Sequence, residues 1–559
     1  MNRMKTRIST SSQSYPVSWT SLFSASAKNM LRSPARFASN ALLGLALTVA
    51  VCDIKAQSAK SPKGGSPLPA GWTNGPNLPT TLARAVGIHF PANGRFYAMG
   101  GRSSDSVGSD QTNPFEYNPT TNTWATKAAT YPDAHVSDMA CGVLTDGGTP
   151  QIYCVGGSQA GQTTATARVF SYDPVADTIT TLTAADNWPG DASGTILPGG
   201  FAVVGNKLYI FGGFDINNAT THQTWQFDPT AAVGSRWLQL SDYPADRGYI
   251  PAAAIGNVIY TAGGSLWDGT ALRDTTDSFK YDTTTDTWTT IASIPSPTAE
   301  TQAVNVYGVM LVLAGGEANQ KRPMLTRDLA PLSYRFIYSP SCNMWGQGVS
   351  NIVPRRHFPA DADGGSRIWL AGGYAGNGSA LNTMEIYEAP AVQSAFSRKV
   401  HGDAGTFDIS LPLSDNVGIE CRSGGATNDY QMIINFATSV TVNGVGMICG
   451  TGHVSSFSVS GSQVTVNLTG VTNAQRITVQ LQNVIDSSGS GDVPISMGVL
   501  VGDVNGNAAV NASDVSLTKS QVGQPVTTSN FREDVNAGGT ISSTDVAVVK
   551  SDVGTSLPP

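Results

Sequence analysis

Between residues 68 and 390 the chain repeats one alternation of apolar and polar positions. An apolar run that ends in Gly-Gly occurs six times, as FYAMGG, IYCVGG, LYIFGG, IYTAGG, LVLAGG and IWLAGG. The pairs begin at Gly100, Gly156, Gly212, Gly263, Gly315 and Gly372, so the period is 51 to 57 residues. Each pair is followed by an aromatic-rich run (FEYNP, FSYDP, WQFDP, FKYDT, RFIYSP, MEIYE). A polar turn and an anchor come next in five cases: Trp124, Ile179, Trp237, Trp288 and Trp345. Aromatic and β-branched residues favour strands, while Asp, Asn, Pro, Thr and Gly make turns, so each unit predicts four short antiparallel strands. A period of this length marks a repeat architecture. The sixth unit has no anchor of its own, but Trp72, with Pro79 seven residues on, stands ahead of the first unit. The expectation is that the N-terminal strand completes the last unit and closes the ring, which leaves no exposed sheet edge.

These units resemble the kelch repeat, and the resemblance implies a six-bladed β-propeller over residues 68–390. From about residue 391 the pattern changes. GTFDISLPL, DYQMIINF, VTVNGVGMIC, QVTVNL and RITVQLQNV alternate without Gly-Gly and with few aromatics, which predicts a β-sandwich over 395–498. The fold class is therefore mainly β, with a small α-helical module over 499–559. That tail carries two related phrases, GDVNGNAAVNASDVSLTKSQVG and EDVNAGGTISSTDVAVVKSDVG, each an Asp-x-Asn loop leading into a short helix. It resembles dockerin, the duplicated EF-hand-like module that docks into cohesin domains. Hard oxygen ligands at loop positions 1, 3, 5, 9 and 12, with a carbonyl at 7, suit calcium. The first loop offers Asp503, Asn505, Asn507, Asn511 and Asp514, with the carbonyl of Ala509. The second offers Asp534, Asn536, Ser542 and Asp545, with the carbonyl of Thr540. It departs from the pattern at Gly538, which has no ligand to give at position 5. Two carboxylates per loop imply weak sites, on the order of 10⁻⁴–10⁻³ M. The competing reading is a repeat that has lost its metal.

Composition narrows the partners. Charged residues make up 13% of the 559-residue chain, against about 25% in an average soluble protein, which fits a turn-rich β-protein. The apolar run Ala41–Val51, preceded by Arg32 and Arg36, reads as a targeting segment over 1–56, with either Met1 or Met30 as its start and a linker over 57–67. Cleavage before Cys52, as in a lipoprotein, is the rival reading. At 11 residues the run is shorter than the ~20 a spanning helix needs. Without residues 1–56 the chain keeps 26 basic and 39 acidic residues, a net charge of −13. That disfavours nucleic acid or anionic lipid as a partner and suits calcium; with the targeting segment, the expectation is a secreted or surface-attached bacterial protein with a monomeric propeller. Five cysteines then remain. Cys141 and Cys154 flank the turn at Gly147–Gly148 and would stand opposite each other, either as a cross-strand disulfide or as two reduced core residues. Cys421 and Cys449 are the second candidate pair, which leaves Cys342 unmatched.

Chemistry concentrates at the segments that open the innermost strands, 15 to 21 residues before each Gly-Gly. These carry Arg84, His135, Asp191, Arg247, Glu300, Arg356 and His357. If the units superpose, these groups ring one mouth of a central channel, a cationic set that suits an anionic or sugar-like ligand. The bland alternative is loop packing around a wet channel. Sialic acid mutarotases resemble six-bladed kelch rings with a cationic pocket, and the ring is compatible with them. Copper-radical galactose oxidases need two paired His with Tyr and a crosslinked Cys, and no such pairing is recognisable among His89, His135, His222 and His357. No nucleophile elbow, phosphate loop or zinc signature is present, and no residue is assigned as catalytic. The expected function is a binding or adhesion protein, with a propeller facing a glycan or protein and a tail docked to a cohesin-like partner or another surface protein. The alternative is an extracellular carbohydrate-acting enzyme of the mutarotase type.

Overall fold

The structure, a computed structural model, describes residues 71–316, 331–348, 350–413 and 417–558. The targeting segment, Cys52 and the linker lie outside the described residues. Among the described residues up to Glu388 the strands form one two-stranded ribbon, Ser265–Trp267 with Leu272–Asp274, and six four-stranded antiparallel sheets. Their first strands are Val86–Phe90, Ala140–Asp146, Ile196–Val204, Ala252–Ile255, Ala303–Val306 and Ala360–Ala362. Each of these packs beside the next in that order, and Ala360–Ala362 packs beside Val86–Phe90. The outermost strand of the sixth sheet is Trp72–Gly75, which pairs with Met384–Glu388, Trp72 opposite Tyr387.

The recurring phrase of tyrosine, polar turn and tryptophan has a local cause. Tyr117, Tyr172, Tyr281 and Tyr338 donate their hydroxyls to Asn122, Asp177, Asp286 and Asn343, each five residues on. Those four acceptors have φ between +52° and +54°, a left-handed conformation that Asn and Asp tolerate better than other side chains. The tryptophan that follows leans on the neighbouring sheet: Trp124 Nε1 donates to Pro76 O, Trp237 to Asp186 O, Trp288 to Ser241 O and Trp345 to Ala292 O, at 2.7–3.1 Å. The Gly-Gly pairs mark close approach between sheets. A Cβ on Gly100 would stand 2.1 Å from Val136 O, just ahead of the second sheet, and one on Gly372 would stand 2.3 Å from Leu82 O, just ahead of the first. No side chain fits there.

Two further sheets follow. One has five strands in the order Gly405–Ser410, Val392–His401, Tyr430–Phe436, Gln463–Thr469, His453–Ser460. The other has four, in the order Ile419–Glu420, Ser490–Val499, Gln475–Ile485, Thr441–Cys449. Their inward residues (Met432, Ile434, Val464, Val466, Ile477, Val479, Val493, Ile495) form one apolar core that continues into Val304, Leu311, Leu370 and Tyr387 of the fifth and sixth sheets. Helices α1 (Ala512–Gln521) and α2 (Ser543–Ser551) close the chain. Among the described residues no helix is long and apolar enough to cross a membrane.

The cysteines depart from expectation in one pair. Cys141 and Cys154 face each other in register and form a disulfide. Cys449 pairs instead with Cys342, 107 residues away, and Cys421 stays free and buried. Cys342 lies in the turn that joins the last two strands of the fifth sheet, and Cys449 ends Thr441–Cys449. The bond therefore crosses between two regions that sequence treats as separate. Cys421 points the other way and donates its Sγ to Arg532 O.

Candidate functional site

A cavity of about 360 Å³ opens between the six first strands. At one end its lining includes Arg84, Asp138, Tyr249, Glu300 and His357. All five have φ between +50° and +59°, a region that non-glycine residues enter only at a cost. Each stands two or three residues ahead of its sheet's first strand. Asp138 N donates to Arg84 O, Arg84 N to His357 O and His357 N to Glu300 O, at 2.7–2.9 Å. The backbone thus links the first, second, fifth and sixth sheets around the mouth, which is what holds these residues in a costly conformation.

The side chains alternate in charge. Arg84 Nη1 lies 2.8 Å from Asp138 Oδ2, and Arg356 Nη1 lies 2.7 Å from Glu300 Oε2. His357 sits between, its Nδ1 3.5 Å from Asp138 Oδ1 and its Nε2 3.2 Å from Glu300 Oε2, the latter without an aligned hydrogen bond. The edge of Tyr249 meets the His357 ring at 5.2 Å and 88°. Burial opposes the charge on Asp138, but Arg84 and then His357 outweigh it and hold the carboxyl well below the usual range. Burial opposes Arg84 as well, and Asp138 together with Tyr374, Tyr249 and Asp105 more than offsets it, leaving the guanidinium above its ordinary value. Burial pushes the Tyr249 phenol up.

Of the predicted ring, Arg84, Glu300 and His357 line this mouth, and Arg356 reaches it through Glu300. Three candidates are used elsewhere. His135 contacts Asp133 and Thr164, both at 3.2 Å. Asp191 is buried and accepts from Thr195 N and Ile196 N. Arg247 pairs with Asp277 and donates to Thr275 Oγ1. The cationic pocket is also not what forms, because Arg84, Arg247 and Arg356 each have a carboxylate of their own. Asp138 and Tyr249 lie outside the predicted ring: Asp138 stands three residues after His135, which carries its segment's expectation, and Tyr249 has no charge to mark it. The position that matters is the left-handed one, 14 to 18 residues before the Gly-Gly. At the far end of the cavity Asp361 accepts from His89 N at 2.6 Å and Ala362 N at 2.8 Å. Burial pushes its carboxyl up to about 7.

In the tail, Asp503 and Asp514 are fully buried. Asp503 accepts from Gly506, Asn507 and Ala508 N–H, and Asp514 from Asn505 and Asn511 N–H, which wraps the loop around them. Burial, with like-charge repulsion from Asp514, raises Asp503. Two buried carboxylates facing one loop, with the side-chain oxygens of Asn505 and Asn507 nearby, fit a hard cation. Asn511 caps α1 through Ser513 N, and Ser542 caps α2 through Thr544 N. The second loop fits less well. Asp534 accepts from Gly538 N and Gly539 N and also lies 2.8 Å from His401 Nδ1, while a Cβ at Gly538 would meet Asn536 Oδ1 at 2.5 Å.

Comparison with known proteins follows the same division. The class is a mainly-β protein of repeated four-stranded sheets. Residues 85–316 match the KLHDC2/KLHL20/DRC7 Kelch-repeats domain, and residues 501–554 match the Dockerin type I domain. Kelch-like protein terF of Aspergillus terreus is 25% identical over 373 residues, 64% of this chain and 75% of that one. Alpha-scruin of Limulus polyphemus is 26% identical over 174 residues, 30% of this chain and 18% of its own. A solved structure described as "Structure of YjhT" has 15% identity and a TM-score of 0.43, over 56% of this chain and 95% of that one. The chain is a kelch-repeat protein with a C-terminal dockerin type I module. That make-up is one of protein binding and cohesin docking.

Proposed function

We propose that the protein is a secreted or surface-attached binding protein in which a six-bladed kelch propeller presents a face to a glycan or protein while the tail docks to a cohesin-like partner. The six sheets are its blades over 68–390, the N-terminal strand closes the ring, and a β-sandwich over 395–498 carries the tail at 499–559. Support comes from the cyclic neighbour order of the first strands and from Trp72 paired with Tyr387. The observation that carries the docking role is the first loop and its helix: Asp503 and Asp514 are buried and ready for calcium, while Leu517 and Val522 stay 42% and 44% exposed beside them. Asp503, Asn505, Asn507, Asp514 and the Ala509 carbonyl would hold the ion, and its charge would fix the angle of α1. Titration of the full chain with a cohesin domain tests this. Binding in calcium that disappears in EDTA and in Asp503→Ala is expected, and equal binding with and without calcium would sink it.

One observation favours a second reading, an enzyme acting on sugars at the mouth: His357 stands between two carboxylates in the wall of the cavity. A melt of the full chain across neutral and acidic sugars separates the two readings. A sugar at 100 times its Kd raises the stability of the propeller by about 2.7 kcal/mol, and turnover lost in Glu300→Gln would make the mouth catalytic.

A further inference from the structure

The two loops of the tail are alike in sequence and differ in what surrounds them. Asp503 and Asp514 meet backbone N–H groups and each other. Asp534 and Asp545 accept from backbone N–H groups in the same way, and Asp534 in addition meets the sandwich. His401, at the end of strand Val392–His401, has 0% of its side chain exposed, as does Asp534, and their Nδ1 and Oδ2 atoms lie 2.8 Å apart. On its other side His401 Nε2 is 3.1 Å from Arg422 Nη1. A guanidinium only donates, so Nε2 accepts and the proton of the neutral ring sits on Nδ1, aimed at Asp534. Arg422 is itself fully buried and grips Glu420 through Nε and Nη2 at 2.8 and 2.7 Å. Ser397 Oγ donates to the same carboxylate. The charge of Asp534 is thus met by a relay of fixed donors that runs into the sandwich.

The backbone is fitted to this contact. A Cβ on Gly402 would stand 2.5 Å from Gly538 O, and one on Gly539 would stand 2.8 Å from His401 O. Ser423 N donates to Val535 O at 2.7 Å. Phe407 of the sandwich stacks on Phe531 just ahead of the loop, with centroids 5.3 Å apart and planes 6° apart. Ile419, Leu500, Val504, Val535 and Val549 share one small core beneath.

We infer that the second loop is a metal-free joint that locks the tail to the sandwich, with the His401–Arg422–Glu420 relay meeting the charge of Asp534 that a cation would otherwise meet. Calcium then belongs to the first loop alone, the one point at which this inference rests on the function proposed above. The first loop and α1 are then the part of the tail that calcium would shape for a partner, which would dock on a tail held against the body of the protein.

Two measurements on the full chain test it. Equilibrium dialysis in millimolar calcium is expected to give one ion per chain, none for Asp503→Asn and still one for Asp534→Asn. Two ions per chain, or the loss of one in Asp534→Asn, would overturn the inference. Amide exchange in EDTA is expected to leave 534–545 protected while 503–514 opens. His401→Ala should speed exchange at 534–545 at least tenfold, and His401→Gln, which keeps a donor, should speed it less. Gly402→Ala, which keeps every group of the relay but crowds Gly538 O and strains a backbone at φ +46°, is the check should His401→Ala fail to fold, and it too should loosen 534–545. If EDTA opens both loops equally, or if neither His401→Ala nor Gly402→Ala changes the second, the joint does not exist. No calcium at all, with the second loop still protected in EDTA, would sink the first-loop reading and leave the joint standing.

Discussion

The two ends of the propeller's channel treat a carboxylate in opposite ways. At the mouth, Asp138 meets Arg84 and His357, and these partners hold it ionised despite burial. At the far end, Asp361 meets only backbone N–H groups from His89 and Ala362, and burial lifts it to about 7. Both side chains line one cavity, Asp361 on a first strand and Asp138 two residues ahead of one. Hydrogen bonds from neutral amides do not replace the solvation of a full charge, whereas a guanidinium at 2.8 Å does. The mouth is therefore a fixed girdle of paired charge, and the far end holds a carboxyl that titrates near neutrality.

The largest expected effect breaks the girdle. Asp138→Ala leaves Arg84 half-buried beside only Asp105 at 3.9 Å, and removing one partner of such a pair costs about 3 kcal/mol. The propeller transition in a denaturant melt should fall by that amount, and a loss under about 0.5 kcal/mol, the range of an ordinary surface change, would mean that the girdle is not structural. The sign with pH follows from the lowered value. Asp138 contributes stability that is present above its unfolded pKa of about 4 and is lost as pH falls through its lower folded value, so the propeller weakens in acid and Asp138→Ala lacks that limb.

Asp361→Asn tests the other end, with a smaller effect and the opposite sign. A folded pKa of about 7 lies above the unfolded value of about 4. Its contribution is full below pH 4 and lost as pH rises through 7. The variant should match the wild type at pH 4 and exceed it at pH 8 by about 2 kcal/mol, half of the ~4 kcal/mol that about three pKa units convert to, because Asp361 is part-exposed to the channel. Equal stability at both pH values would show that water in the channel solvates the carboxylate fully.

Much of this architecture was legible in the chain, because repeats write their contacts many times over. Tyr117 with Asn122, or Tyr281 with Asp286, is a contact over five residues, and the anchoring tryptophans recur with the Gly-Gly period. The mouth was legible only in part. Arg84, Glu300 and His357 stand at left-handed positions, and so do Asp138 and Tyr249, but a scan for charge passes over Tyr249 and settles on His135 instead of Asp138 three residues on. Pairing across modules could not be read at all. Nothing near Cys342 points to Cys449, and nothing in the second loop points to His401, 133 residues earlier. Such contacts depend on how finished units pack, not on any local pattern.

Tyr249→Phe is the finest probe of the mouth. Its phenol lies beside Arg84 and its ring stands edge-on to His357, so the variant removes one hydroxyl and keeps the packing. A hydrogen bond to a charged group contributes roughly 1.5–3 kcal/mol and an ordinary one about 1; here the ordinary figure applies, since Arg84 keeps Asp138. The melt should fall by about 1 kcal/mol, with the acid limb unchanged because Asp138 and Arg84 still face each other. If the acid limb moved as well, Tyr249 would be setting the Arg84–Asp138 geometry, and the girdle would be a network of three groups in place of a pair with a neighbour.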